Sequence, residues 1–399
     1  MEEQSMNVLF AIAGLLLVFV LGYMVSYNRK GIRFKPIVLM LITQLILSFI
    51  MLNTEIGVVV IGFVSKLFSE LMDFGIGGVE FVFGGLQNEG ASTFFLNVLL
   101  PIIFISILIG ILNFFKILPL IIKYVGLALS KLNGMGKLEN YIAISSAFLG
   151  QSEVFLTAKK QLGLISKRRL YTLCTSAMSA VSIAIVGAYM TMLEPKYVVV
   201  AIILNIFSAL IIANIVNPYE LKDEDDLYLE EEDTHKMGFF QMISESIMDG
   251  FKVAIIVGAM LMGFIALMNM IDYIFNYTFG VSFQSILGYI FAPIAFVMGI
   301  PWSEAVQAGS IMATKLVTNE FVAMMSFQNV ASGFSAKTMG MVSVFLVSFA
   351  NFSSVGIITG SVKALNEKQG NHVANFGMKL LFGSTLASIL SATIIGLFL

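Results

Sequence analysis

The sequence predicts an all-α polytopic membrane protein: eight transmembrane helices plus two re-entrant helical hairpins in an inverted repeat. Three observations carry that prediction. Of the 399 residues, 58% are hydrophobic and 12% charged, against about 25% charged in soluble domains; mean hydropathy is +0.92. The apolar residues fall into many separate runs, each near the ~20 residues that a helix needs to cross a bilayer. Two short polar interruptions, each with a carboxylate, lie within this apolar background: Gly150-Gln151-Ser152-Glu153 and Thr318-Asn319-Glu320-Phe321. About thirty residues after each comes an apolar stretch with its own polar break, at 178–182 and 349–354. Long helical runs also argue against an outer-membrane barrel, whose segments are short and alternating.

Taken in order, the spans are expected at 7–27, 36–54, 96–122, 170–192, 196–216, 250–275, 337–362 and 373–399. The first begins in an acidic stretch, Met1-Glu2-Glu3-Gln4, where a signal peptide would be basic. Residues 55–94 are apolar but broken by Gly75, Gly77, Gly78, Gly84 and Gly85, with Glu55, Glu70, Asp73 and Glu80 scattered through, and read as interfacial or horizontal helices. Residues 138–165 and 301–334 are too polar at their centres for one span yet apolar on both flanks. Each reads as a re-entrant hairpin, tolerated at membrane depth where protein or water surrounds the backbone. Segment 220–233, with nine carboxylates and Lys222 as its one cation, reads as a solvated linker. Residues 237–251 mix apolar and polar positions and are expected to lie flat on the membrane.

Positive charges orient the spans. Arg29, Lys30, Arg33 and Lys35, then Lys123, Lys131 and Lys137, then Lys159, Lys160, Lys167, Arg168 and Arg169, and finally Lys363 and Lys368 all fall on one side if both termini lie outside. The two blocks of hairpin, broken helix and helix then have opposite orientation.

Composition excludes several chemistries. Net charge is −2, so no basic surface points to nucleic acid. Cys174 is the single cysteine, and the two histidines, His235 and His372, are expected in polar loops, so no firm metal site and no bound cofactor are expected.

A carboxylate within a bilayer is costly unless it has a partner, faces a water-filled cavity or holds a proton. Two, in corresponding places of two similar blocks, imply a transporter with a midplane site between internal repeats. Gln151, Ser152 and Glu153 offer an amide, a hydroxyl and a carboxylate at one hairpin tip, where Gly150 would let the backbone turn. Asn319 and Glu320 repeat the pattern; Glu320 could accept from vicinal hydroxyls, or instead form an ion pair with Lys315 that only stabilises the hairpin. Asn351, Ser353 and Ser354 interrupt the seventh span, and Phe349 could lie against an aromatic ring. Helix-to-helix contact is the plainer account of these serines, and of Ser179 and Ser182. The set suits a neutral, hydroxyl-rich, partly aromatic solute; a phosphate would call for arginines or clustered lysines.

In these residues the chain resembles the concentrative nucleoside transporter family. The matching motifs are Gly150-Gln151-Ser152-Glu153, Leu287-Gly288-Tyr289-Ile290-Phe291-Ala292-Pro293-Ile294-Ala295-Phe296 with Gly299-Ile300-Pro301-Trp302, Asn319-Glu320-Phe321-Val322-Ala323, and Phe349-Ala350-Asn351-Phe352-Ser353-Ser354. The resemblance implies a homotrimer of eight-helix subunits in the plasma membrane, each with a scaffold part and a transport part that moves like an elevator. The scaffold would be 1–122 together with 237–297, and the transport repeats 123–216 and 298–399, joined by the acidic cytoplasmic linker 217–236. By the same resemblance Gln151, Ser152, Glu153, Ile185 and Phe349 would meet the nucleobase, and Glu320, Asn351 and Ser354 the ribose. Sodium-coupled members have an asparagine at the position of Ser146 and a serine at that of Ala180. With Ser146, Leu149, Ala180 and Val181 as the remaining ion candidates, the expectation is proton coupling, through Glu153 or Glu320, ahead of sodium. Burial would make either carboxyl hold a proton, and Glu153 is preferred because ribose hydroxyls would favour Glu320 as the anion. A membrane-embedded hydrolase using the two glutamates, or a channel for small polar solutes, are the alternatives; no hydrolase motif accompanies the glutamates.

Overall fold

The computed structural model of the chain describes residues 2–86, 94–221 and 237–399, and these are helical with no strand. The acidic segment 222–233 and His235 lie outside the described residues. Six of the described helices are long and apolar enough to cross a membrane alone.

The first two are α1 (Glu2–Met24) and α2 (Phe34–Asn53). The next element corrects the sequence reading: 55–83 is not broken by its glycines but forms one 29-residue helix, α3 (Glu55–Phe83). A helical glycine costs only about 1 kcal/mol relative to alanine, and tertiary packing overrides it. At Gly75 the absent side chain is an asset, because a Cβ there would lie 2.8 Å from Pro101. The expected span 96–122 is also corrected. A π-helical turn (Phe95–Leu99) leads into α4 (Ile102–Phe114), which stops at Lys116, and α5 (Ile117–Asn133) starts afresh. Lys116 has φ 58°, a left-handed conformation that no residue holds inside a helix.

The first repeat follows as expected in outline. One hairpin arm is α6 (Lys137–Ser146); the return arm is a 3-10 helix (Glu153–Ala158) and the single turn α7 (Lys159–Leu162). The broken span is α8 (Lys167–Ser179) plus α9 (Ile183–Met192), bent by 40°. Then comes α10 (Pro195–Val216). Residues 239–251 do not form a separate flat helix. They are the first turns of α11 (Phe239–Phe279), whose 41 residues extend for about 60 Å at 1.5 Å per residue, twice a bilayer core.

The second repeat begins from α12 (Phe283–Met298), which turns by 118° into α13 (Trp302–Val317). Gly299 makes that corner with φ 114°, a left-handed region open to glycine, and Pro301 caps the new helix. The hairpin returns in α14 (Glu320–Val330), and the second broken span is α15 (Ala336–Leu346) plus α16 (Phe352–Leu365). The chain closes on α17 (Glu367–Gly396), which contains His372 in its second turn rather than in a loop.

Burial sorts these helices. In α10 and α17, 83% of the span-like window is buried, against 22–33% in α1, α2, α4 and α11. So α10 and α17 form the centre, packed against α8 and α15, while the outer helices present Leu, Ile and Phe outward, as lipid-facing helices do. The two repeats share a clasp as well as an element order. Arg169 at the start of α8 grips Glu139 of α6 (Nε–Oε1 2.5 Å, Nη2–Oε2 2.9 Å). At the start of α15, the N–H and hydroxyl of Ser335 donate to Glu304 of α13 at 3.1 and 3.0 Å. Each hairpin is thereby tied to the broken helix that follows it.

Candidate functional site

The polar tips of both hairpins and both helix breaks meet in one cavity of about 450 Å³, within the ~300–1,000 Å³ usual for small-molecule sites. Three helices begin at its wall. Ser182 caps α9 by accepting from Ala184 N–H, Asn319 caps α14 through Val322 N–H, and Asn351 caps α16 through Ser354 N–H. These residue types start helices because their short side chains replace the missing backbone acceptor, worth about 1 kcal/mol each. Their positions are therefore fixed by local structure before any solute arrives.

Every residue expected to touch a nucleobase or a ribose lines this cavity: Gln151, Ser152, Glu153, Ile185, Phe349, Glu320, Asn351 and Ser354. Of the ion candidates, Leu149 lines it too, whereas Ser146, Ala180 and Val181 are buried behind the wall. The two breaks are joined directly, the Phe349 N–H donating to the Ala180 carbonyl at 3.2 Å.

The two glutamates differ. Glu320 is buried, and each of its oxygens accepts one hydrogen bond: Oε1 from the Tyr189 hydroxyl at 2.9 Å, Oε2 from Asn351 Nδ2 at 3.1 Å. A carboxylate has about four lone-pair sites, so two remain for a ligand. Glu153 is exposed to the cavity and forms no hydrogen bond or ion pair among the described residues. Gly150 stands where the backbone turns, as expected. Its backbone is not left-handed; instead the Glu153 carboxylate folds over it, so that a Cβ at 150 would meet Oε2 at 2.0 Å.

The Lys315–Glu320 ion pair weighed above does not form. Lys315 turns the other way, to the Phe345 carbonyl and the hydroxyls of Ser348 and Ser388. Two enclosed polar atoms at the wall, Gln151 Oε1 and Ser354 Oγ, lack partners, as groups kept for a solute do. Sequence reasoning missed Tyr189. Its signal was present: it lies four residues after Ile185, on the same face of α9. It also missed the far wall, where Asn113 of α4 and Ser246 and Asp249 of α11 face the hairpin tips.

Sequence-family models match the chain in three consecutive pieces. One described as the Na+ dependent nucleoside transporter N-terminus covers residues 13–86, one described as nucleoside recognition covers 95–196, and one described as the Na+ dependent nucleoside transporter C-terminus covers 197–396. The chain is 35% identical to the purine nucleoside transport protein NupG of Bacillus subtilis, across 98% of this chain and 100% of that protein. It is 29% identical to the nucleoside permease NupC of Helicobacter pylori, across 98% of each. Among solved structures it is similar to CNTnw in an inward-facing substrate-bound state, with TM-score 0.93 and 30% identity over 99% of this chain and 98% of that one. A doubly substituted CNTnw in an outward-facing state gives TM-score 0.93 and 29% identity over the same shares. These proteins are transporters, not enzymes, and the hydrolase reading falls with them. Matched along almost its whole length and folded as they are, this chain belongs to the concentrative nucleoside transporter family.

Proposed function

We propose that the protein is a proton-coupled nucleoside importer of the plasma membrane, working by elevator-type alternating access as a homotrimer with both termini outside. The observation that carries this reading is the single cavity shared by the two hairpin tips and the two helix breaks. In it, Gln151, Ser152, Glu153, Ile185 and Phe349 would hold the nucleobase. Glu320, Asn351 and Ser354 would hold the ribose: the free lone pairs of Glu320 and the unpartnered Ser354 hydroxyl are matched to hydroxyl groups. Solved relatives in inward- and outward-facing states support alternating access over a channel. The mobile part would be 123–216 with 298–399, moving against 1–122 and 237–297; the clasps Glu139–Arg169 and Glu304–Ser335 would keep each hairpin moving with its broken helix.

The family description names sodium, and this chain offers it a thin shell. Ala180 has no side-chain oxygen, its carbonyl already accepts from Phe349, and the Ser146 hydroxyl spends its proton on the Ile142 carbonyl at 2.6 Å. Among the ion candidates that leaves one serine oxygen and the carbonyls of Leu149, Ala180 and Val181 for a hard cation that takes a near-complete oxygen shell. Glu153, unbonded and open to cavity water, is the carboxyl placed to load a proton, while Glu320 is engaged by Tyr189 and Asn351. Proton and nucleoside bound together would let the loaded site cross.

The test is uptake of labelled uridine, adenosine and inosine into proteoliposomes. An inward proton gradient alone should drive accumulation; accumulation under a sodium gradient alone would assign the coupling to sodium. Equilibration without accumulation under either gradient would refute concentrative import. In the same assay Glu153→Gln should lose its response to the proton gradient while still exchanging nucleoside across the membrane. A full response in that variant would clear Glu153 of the role.

A further inference from the structure

The second helix break is held by a buried ammonium group. Lys315 has no exposed surface, and its Nζ has three acceptors for its three N–H donors: the Phe345 carbonyl at 2.5 Å, Ser348 Oγ at 2.6 Å and Ser388 Oγ at 3.4 Å. The Phe345 ring faces the same charge, its centroid 4.4 Å away. Lys315 sits in the last turn of α13, and Phe345 in the last turn of α15, so the negative ends of two half-helices point at one cation.

What the ammonium holds matters for the site. Helix α15 ends at Leu346, which leaves its last carbonyls without partners inside the helix. Lys315 takes that of Phe345, and Asn205 Nδ2 takes that of Val347 at 2.5 Å. Three and five residues beyond Leu346 come Phe349 and Asn351, both at the cavity wall. Asn351 then caps α16 and donates to Glu320, which lies five residues after Lys315 at the start of the returning arm. Lys315 therefore fixes both sides of the Glu320–Asn351 pair: the hairpin arm from which Glu320 follows, and the unwound backbone that carries Asn351.

The first repeat has the same frame without the cation. The C-terminal ends of α6 and α8, at Ser146 and Ser179, lie beside the first break, and the oxygens there belong to serine hydroxyls and to backbone carbonyls. In the second repeat a lysine supplies from within the chain the positive charge that a free ion would bring to such a junction.

We infer that Lys315 is a tethered cation that holds the second helix break in shape, and that through Glu320 and Asn351 it is the positioning residue for sugar recognition. This rests on the reading that Glu320 and Asn351 hold the ribose. The test compares KM for uridine, 3′-deoxyuridine and adenosine in proteoliposomes bearing the wild type, Lys315→Met, and the double variant Ser348→Ala/Ser388→Ala, which removes two of the three acceptors. The wild type should favour uridine over 3′-deoxyuridine by about tenfold or more, as a site built for a hydroxyl does. In Lys315→Met that ratio should collapse to within about threefold, through a rise in KM for uridine, because the discriminating hydrogen bonds are lost. The uridine-to-adenosine ratio, set at the other end of the cavity, should stay as in the wild type. A purely structural role would lower transport of all three alike and leave both ratios unchanged, and that result would overturn the inference. If Lys315→Met does not reach the membrane, the double variant decides: a smaller shift in the sugar ratio supports the inference and an unchanged ratio overturns it. A wild type blind to the 3′-hydroxyl would instead sink the ribose reading, and this inference with it.

Discussion

Glu320→Gln is expected to cut nucleoside uptake by at least about a hundredfold while leaving the protein folded. The magnitude follows from the two hydrogen bonds proposed between this charged acceptor and sugar hydroxyls, each worth roughly 1.5–3 kcal/mol. Glutamine cannot replace them. It offers one oxygen and a nitrogen that only donates, against the Tyr189 hydroxyl on one side and Asn351 Nδ2 on the other. Asn351 cannot turn over to present its oxygen, because Oδ1 already accepts from the Ser354 N–H at 2.9 Å and the Ser353 hydroxyl at 2.7 Å. The amide can at best donate to the Tyr189 oxygen and accept from Asn351, which leaves one lone pair for the ribose where the carboxylate has two. Tyr189→Phe provides the graded control: it frees a lone pair on Glu320 but removes what aims it, so the expected loss is about tenfold, for one hydrogen bond. Initial uptake rates in proteoliposomes, normalised to protein recovered as a monodisperse peak in detergent, measure both. Uptake by Glu320→Gln within tenfold of wild type would remove Glu320 from the site.

Much of this site was legible from polarity alone. Polar residues in a lipid-like sequence are rare enough that their positions mark the breaks, and Ser182, Asn319 and Asn351 turn out to start helices there. The structural matches confirm the fold class, and the repeat of hairpin and broken helix was readable because each polar cluster recurs at a similar interval. Other features were not readable, for identifiable reasons. Glycines in 55–83 signalled breaks because local propensity cannot see Pro101 packed against Gly75. The stop at Lys116 depends on a backbone conformation that its side chain does not favour. Lys315 looked like a partner for Glu320 by sequence distance, but the end of one helix and the start of the next lie between them, and the ammonium reaches the open carbonyl of another helix. Tyr189 went unseen because a tyrosine in an apolar span reads as packing until its hydroxyl is located.

The largest stability effect is expected away from the cavity, at Arg169→Met. Arg169 and Glu139 are both buried and joined by a bidentate pair, the geometry in which a guanidinium satisfies both carboxylate oxygens. Removing the arginine leaves a charge enclosed without its partner, which costs about 3–5 kcal/mol. The Gly136 backbone is so close that a Cβ would lie 2.1 Å from Glu139 Oε2, and the Tyr219 hydroxyl already accepts from the Gly136 N–H at 3.3 Å. Burial pushes the Tyr219 phenol well above its ordinary value, so it stays neutral and adds no second anion beside Glu139. Replacing both members of the pair, Glu139→Leu with Arg169→Met, should cost less than Arg169→Met alone, since the enclosed charge is then gone. Uptake separates the pair's two roles. If the clasp makes hairpin and broken helix move together, the double variant should regain thermal stability in detergent without regaining transport. The Glu304–Ser335 contact, which does the same work in the second repeat through a hydroxyl and a backbone N–H, should be far less sensitive: Ser335→Ala keeps the backbone donor and is expected to lose less than half the stability that Arg169→Met loses, about 1 kcal/mol. An apparent melting temperature for Arg169→Met equal to that of wild type would mean that the ion pair contributes nothing to holding the first hairpin in place.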